Sequence, residues 1–161
     1  FDPDVIYNRI EYLASGLECR VIFLDHLSIL LSGLDGDERR MIDSTMTRLR
    51  SLVERTGITL YLVSHLRRSN SDSNSHEEGG RVSLGQLRGS HSISQISDSV
   101  IALERDQHGE DTANLTTLRV LKNRFSGEVG VATELSYDLS TCQFYENHET
   151  ENPVFNPSTD F

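Results

Sequence analysis

The sequence predicts an α/β fold in which a parallel sheet with crossover helices is followed by an antiparallel meander. The run Val21–Leu24 is continuous and apolar, as expected for a strand that is buried on both faces. A second apolar run at 58–64 lies beyond an amphipathic helix that carries Ile42, Met46 and Leu49 on one face. Two parallel strands joined by such a helix form a right-handed βαβ unit.

The other elements follow from the same periodicities. A first helix at about 4–15 is predicted by four apolar residues at helical spacing, namely Val5, Ile6, Ile10 and Leu13. The polar stretch 67–80 predicts a mobile loop, because its serines and asparagines cannot bury enough surface to pack. Short helical turns are predicted at 83–87 and 91–97. Further strands, the later ones closing the meander, are predicted at 99–103, 115–121, 130–137 and 142–145.

Length and composition bound the class of protein. The chain has 161 residues, of which 36% are hydrophobic and 25% are charged, so we expect one globular domain at 1–146 and a disordered acidic tail at 147–161. No apolar run approaches the roughly 18 residues of a membrane helix, so no membrane partner is expected. The two cysteines cannot build a disulfide scaffold and favour a reducing compartment, which is the cytoplasm.

Charge is unevenly distributed along the chain. The net charge is −10, but seven carboxylates and no basic residue follow Arg124, so the acidity lies mostly in the C-terminal part. Arginine supplies 14 of the 15 basic residues, which favours forked contacts with phosphate or carboxylate groups. No zinc site is expected, because the cysteines have no metal-ligand spacing with the histidines His26, His76, His91, His108 and His148.

Two candidate residues follow the two strands of the βαβ unit. Asp25 comes directly after the first strand, where an aspartate could hold a hydrated Mg²⁺ beside a nucleotide's phosphates or could cap the next helix. His65 comes at the end of the second strand, where an imidazole could hydrogen-bond to a phosphate or could simply face solvent. Because the carboxyl ends of parallel strands meet at one sheet edge, these two residues are expected to form one site.

Three further polar residues also allow both a functional and a purely structural interpretation. Lys122 and Arg124 lie two apart near a strand end and would share a face if the strand persists. They could clamp the phosphate of a neighbouring subunit, as an arginine finger does, or form an ordinary basic strand end. Gln95 could join a phosphate-coupled hydrogen-bond network or be a surface amide.

Four arginines in or near the predicted loop, Arg67, Arg68, Arg81 and Arg88, could contact a phosphate backbone or belong to a solvated surface. No aromatic residue is interleaved with them, so base stacking is not indicated. A Gly-rich phosphate loop is absent from the sequence, because its only lysine, Lys122, is followed by Asn123.

Six blocks in order along the chain carry a resemblance to a known family: VIFLDH at 21–26, LVSHL at 62–66, QLRGS at 86–90, QISD at 95–98, IALER at 101–105 and LKNRF at 121–125. They resemble the C-terminal half of the replicative primase-helicases of T-seven-like bacteriophages, which group with the DnaB-like hexameric helicases and the mitochondrial helicase Twinkle. The resemblance implies a RecA-like helicase domain. Its parent would couple hydrolysis of a nucleoside triphosphate, ATP or dTTP, to movement along single-stranded DNA.

The resemblance also implies roles for matching positions. Asp25 corresponds to the Walker B aspartate that helps to hold Mg²⁺, and His65 to a phosphate-sensing histidine. Gln95 corresponds to a glutamine that couples nucleotide state to DNA. Arg124 matches the arginine finger presented to the next subunit of the ring, and Lys122 is its neighbour at that shared site.

Further roles implied by the family concern DNA and protein partners. Arg67 and Arg68 belong to the DNA-binding loop that follows His65, and Arg88 to a segment associated with the central channel of the hexamer. The last four residues, Ser-Thr-Asp-Phe, resemble the family's acidic tail, so Phe161 is expected to anchor the chain to the replicative DNA polymerase. In this family the Walker A loop and the glutamate that acts as general base lie upstream of the matching region.

Two rival functions remain open at this stage. A RecA-like recombination or repair ATPase would share Asp25 and the parallel sheet, but would not be expected to carry His65, Gln95 and the basic pair in this order. A non-catalytic segment that docks replisome partners through its tail would be consistent with the missing phosphate loop.

Overall fold

The computed structural model describes residues 3–31, 36–67, 76, 78–87, 91–109 and 112–146. They divide into two compact units, each treated separately below. The helical unit comprises the described parts of Phe1–Arg67 and Leu87–Ile96, and the meander unit those of Arg68–Gln86 and Ser97–Phe161. Most of the predicted loop at 67–80 and the entire predicted tail at 147–161 lie outside the described residues. The predicted boundary at residue 146 therefore stays a prediction.

The helical unit is an α/β arrangement built on two parallel strands. Strands β1 (Val21–Leu24) and β2 (Thr59–Leu62) pair in parallel, with Val21 opposite Thr59 and Leu24 opposite Leu62. Its helices are α1 (Pro3–Ser15), α2 (Leu27–Leu31), α3 (Glu38–Thr56) and α4 (His91–Ile96). The predicted βαβ unit is thereby confirmed, while the short helix α2 was not predicted.

Helix α3 begins and ends where its sequence directs. The Asp37 carboxylate accepts hydrogen bonds from the backbone N–H groups of Arg39 at 2.9 Å and Arg40 at 3.4 Å, as an N-cap does. At the other end Gly57 has a left-handed φ of 68°, and its N–H donates to the Val53 carbonyl at 2.8 Å. A residue with a side chain would be strained at Gly57, so glycine ends the helix there.

The core of the helical unit lies where these helices meet the sheet. Helix α3 contributes its buried apolar face, and α4 packs against α3 through Ile93. The buried residues of this core are Tyr7, Ile10, Ile22, Leu27, Leu30, Ile42, Met46, Leu49, Leu52, Ile58 and Ile93. The core therefore holds the strands and helices around the carboxyl ends of β1 and β2 in fixed positions.

The expectation that strand β1 is buried on both faces is wrong for this structure. Ile22 is 8% exposed and belongs to the core, whereas Phe23 is 71% exposed and stacks on Tyr61 with 4.7 Å between ring centroids. Successive strand side chains point to opposite faces, and the described core residues pack on the Ile22 face only. An uninterrupted apolar run could not reveal that its two faces have different surroundings.

The meander unit is a four-stranded antiparallel sheet in the order β3-β4-β5-β6. Its strands are β3 (Ser99–Glu104), β4 (Leu115–Asn123), β5 (Gly130–Asp138) and β6 (Gln143–Glu146). A short 3-10 turn at Leu84–Gln86 precedes the sheet. The predicted meander is confirmed, with each predicted strand boundary within two residues of the observed one.

A buried ion pair attaches the chain ahead of the sheet to the meander. Glu104, which is 8% exposed, accepts hydrogen bonds from Arg119 Nε at 2.9 and 3.1 Å and from the Val82 backbone N–H at 2.7 Å. A buried carboxylate is costly unless it is paired and hydrogen-bonded, and here both conditions are met.

Among the described helices, none combines the length and the apolar character needed to cross a membrane.

We expect Glu104→Ala to lower the free energy of unfolding by about 3 kcal/mol, because it leaves Arg119 and the Val82 N–H without their buried partner. Chemical denaturation of the parent protein measures the change. Glu128→Ala, which removes an exposed carboxylate of the same type, is the control and should change stability by less than about 0.5 kcal/mol. Equal losses in the two variants would contradict a structural role for the buried pair.

Candidate functional site

The carboxyl ends of β1 and β2 are held side by side by two backbone hydrogen bonds. The Val63 N–H donates to the Leu24 carbonyl at 3.0 Å, and the Leu27 N–H donates to the Val63 carbonyl at 2.9 Å. These bonds continue the parallel pairing past the strand ends, across the positions of Asp25 and His26. The residues that follow the two strands therefore share one edge of the sheet.

The Asp25 side chain is exposed at this edge. Its carboxylate makes no hydrogen bond or ion pair with any residue of the described ranges, including the first N–H groups of α2, so the capping alternative is not realised. Mg²⁺ is commonly held by one or two carboxylates together with waters and substrate phosphates. A single unpaired oxygen ligand fits that pattern, and the described residues contain no group of three or more potential metal ligands.

His65 lies at the same edge and contacts a second histidine. The rings of His65 and His26 meet edge to face, with 4.3 Å between centroids and 64° between ring planes. His65 is exposed and His26 is half-buried, and the peptide bond between Asp25 and His26 is cis. Sequence reasoning tested His26 only for metal spacing and missed this contact, although its position next to Asp25 was a signal.

Gln95 belongs to the same unit as Asp25 and His65. It lies on α4, and its side chain is exposed, while the adjacent turn of the helix buries Ile93 in the core against α3. Packing through Ile93 thus determines where α4 presents its polar residues.

Lys122 and Arg124 lie in the meander unit and do not share a strand face. Strand β4 ends at Asn123, whose Oδ1 accepts the N–H groups of Phe125 at 3.0 Å and Ser126 at 3.3 Å and so starts a turn. The condition under which the two basic residues would share a face, that the strand persists, is therefore not met. The sequence Asn-Arg-Phe-Ser favours a side-chain-stabilised turn because asparagine hydrogen-bonds to the backbone two residues on.

The two basic side chains instead contact adjacent residues of the segment before β3. Lys122 Nζ donates to the Ser97 carbonyl at 2.8 Å, and Arg124 pairs with the Asp98 carboxylate at 3.1 Å. The Arg124 side chain is 55% exposed, so this ion pair contributes little to stability. Lys122, by contrast, is partly buried against the backbone. Asp98, which sequence reasoning did not assign a role, is the residue that holds Arg124.

The predicted DNA-binding residues are only partly within the described structure. Arg67 is exposed and follows Leu66, which forms an isolated antiparallel bridge with Leu87. The predicted site residues Arg68, Arg88 and Phe161 lie outside the described residues.

Comparison with known proteins gives concordant results. The family model described as DnaB-like helicase C terminal domain matches residues 3–146. The DNA helicase/primase of Enterobacteria phage T3 is 43% identical over 141 residues, which cover 87% of this chain and 25% of that protein. This chain therefore spans about a quarter of the length of that relative.

Solved structures share the fold at low sequence identity. One of them, described as an ATPase domain, matches with a TM-score of 0.69 and 18% identity over 91% of this chain and 51% of its own. A DnaB-like replicative helicase, described together with its interactions with primase, matches with a TM-score of 0.69 and 19% identity over 89% of this chain and 35% of its own. A KaiC-like protein from Pyrococcus horikoshii matches with a TM-score of 0.62 and 12% identity over 91% of this chain and 57% of its own.

These matches confirm both the expected fold and the expected family. The structural neighbours share the parallel strands and crossover helix that the periodicity had predicted, and they are RecA-like ATPase domains, as the resemblance had implied. The family match extends from the first described helix to the last strand of the meander. The chain belongs to the DnaB-like helicase C-terminal domain family.

Proposed function

We propose that this chain is part of a replicative DNA helicase that couples hydrolysis of a nucleoside triphosphate to translocation on single-stranded DNA and to duplex unwinding. The observation that carries the proposal is the juxtaposition of the Asp25 and His65 segments at the ends of two paired parallel strands. In open α/β sheets this edge is where ligands bind. Membership of the DnaB-like helicase family supports a nucleotide as this ligand, and we propose ATP or dTTP.

Asp25 would hold the Mg²⁺ that accompanies the nucleotide. The ion, when bound, neutralises charge on the phosphates. The phosphates themselves need a Gly-rich loop with a lysine, a pattern that this sequence does not contain. We therefore propose that the loop belongs to another segment of the parent helicase, and that the 161-residue chain has no hydrolytic activity alone.

His65 and Gln95 would report the state of the nucleotide to the DNA-binding loop. The His65 ring contacts His26, the residue after Asp25, and His65 lies only two residues before Arg67 in sequence. A phosphate near Asp25 and DNA near Arg67 would therefore be separated by one short segment. Gln95 presents its amide from α4 in the same unit.

Arg124 would act on the nucleotide of a neighbouring subunit in a hexameric ring. Its weak, exposed pair with Asp98 leaves the guanidinium able to transfer to a phosphate that carries more negative charge. Lys122, which donates a hydrogen bond to the Ser97 carbonyl, would help to fix the end of β4 from which Arg124 extends.

DNA and protein partners complete the proposal. Arg67, Arg68 and Arg88 would contact the phosphate backbone of single-stranded DNA, and the acidic tail ending in Phe161 would bind the replicative DNA polymerase. One structural relative is described with its interactions with primase, which makes primase a further candidate partner. A helicase of this kind, if phage-encoded, would work in the host cytoplasm.

We expect Asp25→Asn to lower nucleotide hydrolysis by the full-length parent at least about a hundredfold, because an amide oxygen is a poor ligand for Mg²⁺. Steady-state hydrolysis at saturating Mg²⁺ measures the effect. Asp37→Asn is the matched control, since asparagine caps a helix as well as aspartate does, and it should leave the rate unchanged. Normal hydrolysis by the Asp25 variant would exclude Asp25 as the metal ligand.

We expect Arg124→Ala to lower hydrolysis by homogeneous rings on the order of 10³-fold or more, as loss of an arginine finger does. In rings that mix variant and normal subunits, the rate should fall faster than the fraction of normal subunits, because each finger serves a neighbour. Arg55→Ala removes a comparably exposed ion pair with Glu11 and serves as the control. A rate strictly proportional to the normal fraction would rule out action across the subunit boundary.

We expect replacement of both Arg67 and Arg68 by alanine to weaken single-stranded DNA binding similarly for all base sequences. The slope of log affinity against log salt should fall by roughly 0.7 for each lost phosphate contact. Fluorescence anisotropy at several salt concentrations measures both quantities. The exposed adjacent pair Arg39 and Arg40, changed in the same way, is the control for the loss of two charges. An unaltered slope would place the DNA surface elsewhere.

A further inference from the structure

The His26 side chain lies in the candidate site, but the proposed function assigns it no role. Its ring meets the His65 ring edge to face at 4.3 Å between centroids. The ring is half-buried, and its Nδ1 atom is buried with no hydrogen-bond partner among the residues that the structure describes. A buried polar atom of this kind calls for an explanation in terms of what the ring does.

The backbone makes the contact between the two rings a consequence of strand pairing. Val63, two residues before His65, donates its N–H to Leu24, two residues before His26, at 3.0 Å. On the other side of His26, the Leu27 N–H donates a hydrogen bond to the Val63 carbonyl at 2.9 Å. The segment that carries His26 is thus bonded on both sides to the end of β2.

His65 has one packed side and one open side. The His65 side chain is exposed overall, and within the described part of the chain its ring packs against the ring of His26. Edge-to-face contact restricts the orientations that an aromatic ring can adopt. The direction in which the His65 nitrogens point therefore depends on the His26 ring.

We propose that His26 is a positioning residue for His65, acting through ring packing and not through a hydrogen bond from Nδ1. The proposal rests on the function proposed above, in which His65 senses the nucleotide's phosphate. Because His26 is joined to Asp25 by one peptide bond, a backbone shift at Asp25 would reach the ring against which His65 packs. His26 thereby links the metal ligand to the sensor, and both to the DNA-binding loop.

Three substitutions in the full-length parent helicase separate ring packing from hydrogen bonding. His26→Phe keeps a ring and removes both nitrogens, His26→Asn keeps a polar group and removes the ring, and His26→Ala removes both. The measured quantity is the stimulation of nucleotide hydrolysis by single-stranded DNA, together with kcat and KM for the nucleotide. Assembly of each variant is checked by size-exclusion chromatography.

We expect the stimulation by DNA to fall about two- to tenfold in the Ala and Asn variants, the range that an aromatic contact contributes, and to be restored in the Phe variant. KM should stay within about twofold, because the nucleotide's own ligands are unchanged. In the His65→Ala background, His26→Ala should have no further effect, since a positioning residue acts only through its partner. His108→Ala, a change at an exposed histidine of the meander unit, should behave as the unmodified protein.

The outcomes distinguish failure of this inference from failure of the proposed function. If His65→Ala leaves the stimulation by DNA unchanged, His65 is not a sensor and both proposals are overturned. If His65→Ala abolishes it while the His26 variants behave normally, only the positioning role is overturned. Restoration by Asn with loss in Phe would assign the role to a hydrogen bond from the buried nitrogen, and would also overturn ring packing.

Discussion

The parallel pairing of β1 with β2 is the constraint on which the candidate site depends. It aligns Leu24 with Leu62, and the hydrogen bonds at Val63 extend that alignment beyond the strands. Residues that are about forty positions apart in sequence are thereby brought to one sheet edge. A parallel pair needs a crossover connection, and α3, with its capped ends and buried apolar face, supplies it.

The meander unit depends on polar contacts made by buried or partly buried strand residues. Glu104 joins Arg119 on the neighbouring strand to the backbone of Val82, and Lys122 joins the end of β4 to Ser97. Such contacts are specific because each buried charged group needs its partner. The exposed pair between Arg124 and Asp98 differs in this respect, since solvent screens it and either partner can leave. Within the described part of this unit, a buried ion pair and an exposed one therefore differ in how tightly they hold their arginines.

Family membership and site geometry support different parts of the functional account. The family model and the phage helicase/primase show what kind of domain the chain is, and solved structures at 12–19% identity show its fold. The chain spans a quarter of the length of that phage relative, so the activity of a whole helicase is proposed for the parent. The proposed residue roles rest on positions within this chain. These are a carboxylate with no partner in the described ranges, two histidines in ring contact and an exposed arginine in a turn.

The sequence by itself determined the described elements other than the short helix α2, since periodicity, apolar runs and the end residues Asp37 and Gly57 act locally. The predicted strands agree with the observed ones to within two residues. It also placed Asp25 and His65 at strand ends, because that requires only the order of the elements. Tertiary structure alone decided that β1 has one exposed face, that Arg124 leaves the strand and pairs with Asp98, and that the His26 ring packs on His65. Those features depend on which surfaces meet across the fold, and contacts between residues distant in sequence leave no periodic signal in the chain.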